Sequence, residues 1–156
     1  MQKLPEYLDS MGRLVGFAAR AVTALTAELL QEHGLTVPQW IALTALWRED
    51  GLTVTTLAHY TKATVPAASR LVDRMVDQGL LERKARKSDR RVVEVWLTSS
   101  AKSMRNLMSL YQDVNECILE GFSETEAKRF AAYLERITTN ATRHYAERRT
   151  DDPLVV

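Results

Sequence analysis

The chain has 156 residues, 46% apolar and 26% charged, a balance that suits one globular domain or two small lobes sharing a core and excludes a disordered or fibrous chain. Its 21 basic and 20 acidic side chains nearly cancel, yet nine basic and four acidic residues fall in residues 62–91, leaving the rest net acidic. An anionic partner is therefore expected at that segment alone. The single cysteine, Cys117, cannot close an internal disulfide. No stretch reaches the roughly 18 uninterrupted apolar residues of a membrane span, and the N-terminus lacks an apolar block with a cleavage site. These features point to a cytoplasmic protein with no membrane partner.

Residues 7–30 carry Tyr7, Leu8, Met11, Leu14, Val15, Ala18, Val22, Leu25 and Leu29 at spacings of three and four, the stripe of a long helix ended by Gly34. Thr36, Pro38 and Gln39 form the signature of a capping box and open a second helix with Trp40, Leu43 and either Leu46 or Trp47 on one face. After Gly51, Thr53 caps a short helix from Val54 to about Tyr60. Thr64, with Pro66 in the first turn, opens another over residues 65–78, which buries Ala68, Leu71, Val72, Met75 and Val76 and ends at Gly79. Two short helices joined at residues 61–64 make a helix-turn-helix.

The period then drops to two. "LLERKA" and "RVVEVWL" are the arms of a β-hairpin, with Val93, Val95 and Leu97 on one face and "RKSD" at the tip. Thr98 caps a long helix to about Gly121 carrying Met104, Leu107, Met108, Tyr111, Val114 and Ile118. Ser123 and Glu126 form a second capping box, opening a last helix with Phe130, Tyr133, Leu134, Ile137 and Tyr145. "RRTDDPLVV" is expected to be a loose tail. The fold expected is mostly α with a small β-hairpin wing: a winged helix-turn-helix lobe over residues 35–98, with dimerisation helices in residues 1–34 and 99–150. The terminal stripes find no internal partner large enough to cover them, so a homodimer is expected.

A helix-turn-helix puts its second helix in the DNA major groove. Val65, Pro66, Ala67, Ser69 and Arg70 would face base edges there, with Arg74 further along. The wing, with Lys84, Arg86, Lys87, Arg90 and Arg91, suits the phosphate backbone and the narrow minor groove. Asp89 is expected to shape the tight turn and to pair with one arginine. The competing view treats the same charges as a solvated face, on a winged-helix module that binds protein and no DNA.

Here "LTVPQWIALTAL", "SRLVDRMVDQGLLER" and the wing "DRRVVEVWLT" resemble the MarR family of bacterial transcriptional regulators, and the resemblance covers nearly the whole chain. It implies an interlaced dimer on palindromic promoter DNA, most often a repressor, released by a small aromatic or phenolic effector. Lys62 stands in the turn where the family often has glycine, Ala67 and Ala68 where hydroxyl residues are common, and Ala101 where a glycine often follows the wing.

No Gly-rich phosphate loop or G-x-S-x-G appears, so a non-enzyme is expected. His33, His59 and His144 lie far apart without ligand spacing, so neither a metal nor another cofactor is expected. Cys117 is expected to be buried, which favours a ligand over an oxidant as the signal. Candidate effector-lining residues are Phe17, Arg20, Trp40, Trp47, Met108 and Tyr111, whose plainer role is core packing.

Overall fold

The computed structural model describes residues 10–150, with side chains through residue 148, in two compact units that divide after Val114. The expected first turn at Tyr7 and Leu8, and most of the expected tail, lie outside the described residues.

In the first unit, α1 (Met11–Gln31) starts at Ser10, whose hydroxyl accepts from the Arg13 N–H at 3.3 Å, and ends at Gly34 with φ +65°. By length and composition alone α1 could cross a membrane, with a mean hydropathy of 1.2. It holds no long uninterrupted apolar run, because Arg20, Thr23 and Thr26 break the run without lowering the mean much. α2 (Val37–Arg48) opens on the Thr36–Gln39 box: Gln39 Oε1 accepts from the Thr36 N–H at 2.8 Å. Gln39 is buried, and its Nε2 donates to Gln78 Oε1.

Thr53 caps α3 (Val54–Thr61) and Thr64 caps α4 (Val65–Asp77), each hydroxyl accepting from the N–H three residues on. α4 ends in a Schellman motif: Gly79 takes φ +70°, the Leu80 N–H reaches the Met75 carbonyl, and the Gly79 N–H reaches that of Val76. α3 ends in the same way, with Ala63 donating to Ala58 and Lys62 to His59, but there the left-handed residue is Lys62 at φ +53°. A side chain with a Cβ is strained in that region. Lys62→Gly is therefore expected to stabilise the fold by about 1 kcal/mol after glycine's greater unfolded-state entropy is counted. Thermal denaturation checks this, and an unchanged or lower melting temperature would contradict it.

The three-stranded antiparallel sheet has the order β1–β3–β2. β2 (Leu81–Ala85) and β3 (Val93–Leu97) form the expected hairpin, with Leu81 opposite Leu97 and Ala85 opposite Val93. The two-residue β1 (Leu52–Thr53) pairs Leu52 with Val95 and was too short to leave a periodic signal. Gly51 feeds it at φ +80°, where a Cβ would come within 2.6 Å of the Trp96 ring, so both backbone and space demand glycine. Leu43 and Leu46 of α2, Leu57 of α3, Val72 and Met75 of α4, Leu81 of β2 and Val95 of β3 form one fully buried core that holds α4 and the hairpin in a common frame.

The single helix expected from Thr98 to Gly121 is broken. α5 (Ser99–Ser103) gives way to a 3₁₀ segment, Met104–Ser109, before α6 (Leu110–Ile118). Two indoles from α2 explain the break: Trp47 Nε1 donates to the Ala101 carbonyl at 2.8 Å and Trp40 Nε1 to the Leu107 carbonyl at 3.0 Å. Each of those carbonyls also accepts from the N–H three residues on, so the chain tightens where the tryptophans anchor it.

The second unit begins at Asn115, and its main element is α7 (Glu124–Thr150). Cys117 is exposed in the described chain, which corrects the expectation of a buried thiol: the flanking Val114 and Ile118 take the inward positions and Cys117 falls at the edge of the stripe. The capping box forms, with Glu126 Oε2 accepting from the Ser123 hydroxyl at 2.6 Å and the Ser123 N–H at 2.9 Å. Those two bonds, the hydroxyl's first, hold the Glu126 carboxyl below the usual carboxylate range. Such a group adds stability that is present above its unfolded-state pKa and lost as pH falls through its folded one. Glu126→Gln is expected to make the helix signal of α7 less sensitive to acid, measured by circular dichroism. A variant that loses helix over the same acid range as the parent would contradict this.

Candidate nucleic-acid interface

On α4 the outward edge carries Val65, 45% exposed, Pro66, Arg70 and Arg74, all exposed, with Ala67 and Ser69 half-buried beside them. Arg70 and Arg74 have no protein partner among the described residues, so their guanidinium groups are available to an anion. Asp73, a candidate partner for them, turns instead toward the hairpin. Arg83 on β2 donates from Nη2 to Asp73 Oδ1 at 2.7 Å and to Ser69 Oγ at 3.3 Å. This residue was absent from the sequence-based site, and it joins the wing to the helix.

Along the wing the cations differ. Arg86 pairs with Glu94, whose side chain is only 14% exposed, and Lys84 pairs with Glu82 and lies 5.6 Å from the centre of the Trp96 ring. Both are partly committed to holding the hairpin. Lys87, Arg90 and Arg91 are exposed, and their side chains have no partner among the described residues. Asp89 shapes the turn as expected: its Oδ1 accepts the Arg91 N–H at 3.0 Å, and its carbonyl accepts the Val92 N–H at 3.0 Å. Among the described residues it makes no ion pair with an arginine side chain, because its carboxylate faces the backbone of the turn it closes. α4 and the wing tip thus present five cations without a side-chain partner among the described residues, two on the helix and three at the tip.

Among the six candidate effector residues, Phe17 meets Arg20 and Trp40 meets Tyr111. Arg20 lies over the Phe17 ring at 4.9 Å, on the exposed side of α1. Trp40 stacks on Tyr111, centroids 4.1 Å apart, with Trp40 buried and Tyr111 37% exposed, and Met108 is half-buried. Trp47 lines a cavity of about 370 Å³ with Leu46, Arg48, Asp50, Leu97, Lys102 and Arg105, none of which the sequence had singled out for this role.

A helix-turn-helix whose second helix is tied to an arginine-tipped hairpin defines a winged-helix protein. The model of the MarR family matches residues 33–92, which run from the end of α1 through the wing. The regulator TtmR of Methylorubrum extorquens is 30% identical over 105 residues, 67% of this chain, but the match spans only 54% of TtmR's length. The crystal structure of the transcriptional regulator PA3341 is 30% identical, with a TM-score of 0.73, and the match covers 85% of this chain and 98% of that one. The S. aureus MepR–DNA complex shares the fold, at 21% identity and a TM-score of 0.77, over 83% of this chain and 97% of that one. The chain belongs to the MarR family of transcriptional regulators.

Proposed function

We propose that the protein is a cytoplasmic, homodimeric repressor that binds a palindromic promoter site and leaves it when a small aromatic or phenolic effector binds. Residues 35–98 are the DNA-binding lobe, and residues 1–34 and 99–150 supply the dimerisation helices. The observation that carries this reading is the set of uncommitted cations on α4 and the wing tip, held in one frame by a shared core. Val65, Pro66, Ala67, Ser69 and Arg70 meet base edges in the major groove, and Arg74 and Lys87 meet phosphates. Arg90 and Arg91, presented by the Asp89 turn, enter the minor groove. Lys84 and Arg86 flank the backbone while bracing the hairpin. A solved relative bound to DNA, MepR, shares the fold and is consistent with this mode.

Two recognition helices must lie about 34–36 Å apart to enter successive major grooves. An effector that prefers another spacing drains the DNA-binding population. Aromatic side chains at Phe17, Trp40 and Tyr111, with the Arg20 guanidinium for an anionic group, support an aromatic effector.

The test is fluorescence anisotropy of a labelled nonspecific duplex across a salt series. Counterion release predicts a fall in log K with log[salt] of slope about −0.9 per neutralised phosphate, so a dimer with this many free cations gives a steep line. Weak binding with no salt dependence would favour the protein-binding module instead.

A further inference from the structure

We infer that Arg83 fixes the Ser69 hydroxyl as a hydrogen-bond donor toward DNA, which makes Arg83 a positioning residue for base specificity that itself touches no phosphate; this rests on the DNA-binding reading above. Ser69 and Asp73 stand one turn apart on α4, and one guanidinium nitrogen reaches both, at 3.3 Å and 2.7 Å. A serine hydroxyl has one proton and two lone pairs. Inside a helix that proton usually goes to the carbonyl four residues back. Thr23, Thr26 and Thr61 of this chain do so, each at 2.8 Å. Ser69 makes no such bond among the described residues. Arg83 occupies the acceptor side of the oxygen, and the proton is left for a partner outside the protein. A fixed donor near the start of this helix selects acceptors: guanine O6 and N7, adenine N7 or thymine O4.

Asp73 neutralises Arg83 and holds it against the helix, with 31% of the arginine side chain exposed. An ion pair this exposed adds little stability, so its consequence is orientation. Without Arg83 the hydroxyl can turn back to the Val65 carbonyl, and the donor is lost.

The experiment first lets the parent select a duplex from a random library. Affinities for that duplex and for a scrambled duplex of the same composition are then measured over a salt series for the parent, Arg83→Gln, Ser69→Ala, the double variant and Asp73→Asn. Arg83→Gln is expected to lower the ratio of selected to scrambled affinity by about tenfold and to leave the salt slope unchanged. In the Ser69→Ala background the same change should move the ratio little, because the group it aims is gone. Asp73→Asn should lower the ratio and steepen the slope by about one as the freed guanidinium reaches a phosphate. It retains Arg83 and so serves as the second probe if Arg83→Gln folds poorly. A slope reduced by about one in Arg83→Gln would make Arg83 a phosphate contact and overturn the inference. So would an unchanged ratio, or independent effects of Arg83 and Ser69. A parent that binds neither duplex overturns the proposed function itself, an outcome distinct from a parent that selects a duplex which Arg83→Gln reads equally well.

Discussion

Arg91→Ala is expected to weaken binding to the selected duplex by about 1–3 kcal/mol per half-site, about thirtyfold or more once both half-sites of a dimer count. The physical basis is the narrow minor groove, where negative potential concentrates and an inserted arginine gains most. Arg91 is exposed at the hairpin tip, and its backbone N–H is held by Asp89 Oδ1, so the side chain is aimed by the turn and leaves no cavity when truncated. The melting temperature should therefore stay near that of the parent. Arg90→Ala should act in the same direction. Arg70→Ala, on the major-groove edge of α4, should instead relax base preference. Anisotropy titrations with selected and scrambled duplexes separate these effects. Binding that is indifferent to all three substitutions would remove α4 and the wing from the interface.

The parts of the fold that were legible in the sequence are those written in local chemistry. Thr36, Thr53, Thr64, Thr98 and Ser123 each open a helix, and Gly79 closes one with a complete Schellman motif. The switch from helical to two-residue period placed β2 within one residue and β3 within two. What was not legible depends on partners distant in sequence. The 3₁₀ segment at Met104–Ser109 is set by Trp40, 67 residues away from Leu107, and no periodicity within the segment encodes that bond. Arg83 is one of the nine basic residues of segment 62–91, but only the packing of β2 beside α4 shows that it points at Ser69 and Asp73. Cys117 carried an ambiguous signal: a residue three after Val114 can fall on either edge of a stripe, and here it falls outside. The effector site was least legible, since aromatic residues at helical spacing serve a core equally well, and Trp40 and Trp47 are both core residues and backbone anchors.

The full chain is expected to sediment as a dimer at micromolar concentration, and Leu134→Glu combined with Ile137→Glu is expected to abolish that dimer. Along α7, Phe130, Tyr133, Leu134, Ile137 and Tyr145 recur at helical spacing and are 39%, 57%, 38%, 39% and 64% exposed in the single chain. On α1, Met11 and Phe17 are 49% and 52% exposed. Exposed apolar side chains that line up in this way mark an interaction face. Fully burying each such side chain is worth about 1.5–3 kcal/mol, so a face of this size carries enough free energy to offset the cost of association. A glutamate at either position would have to be buried without a partner, at a cost that exceeds the lost apolar contact. The double variant should therefore run as a monomer or aggregate. It should also lose affinity for a two-half-site duplex far more than for nonspecific DNA, because only a dimer sets two recognition helices one DNA turn apart. Sedimentation velocity on parent and variant decides the first point, and anisotropy with one and two half-sites decides the second. A well-behaved monomer of the full chain at micromolar concentration would overturn the dimer, and a double variant that remains dimeric would place the interface elsewhere.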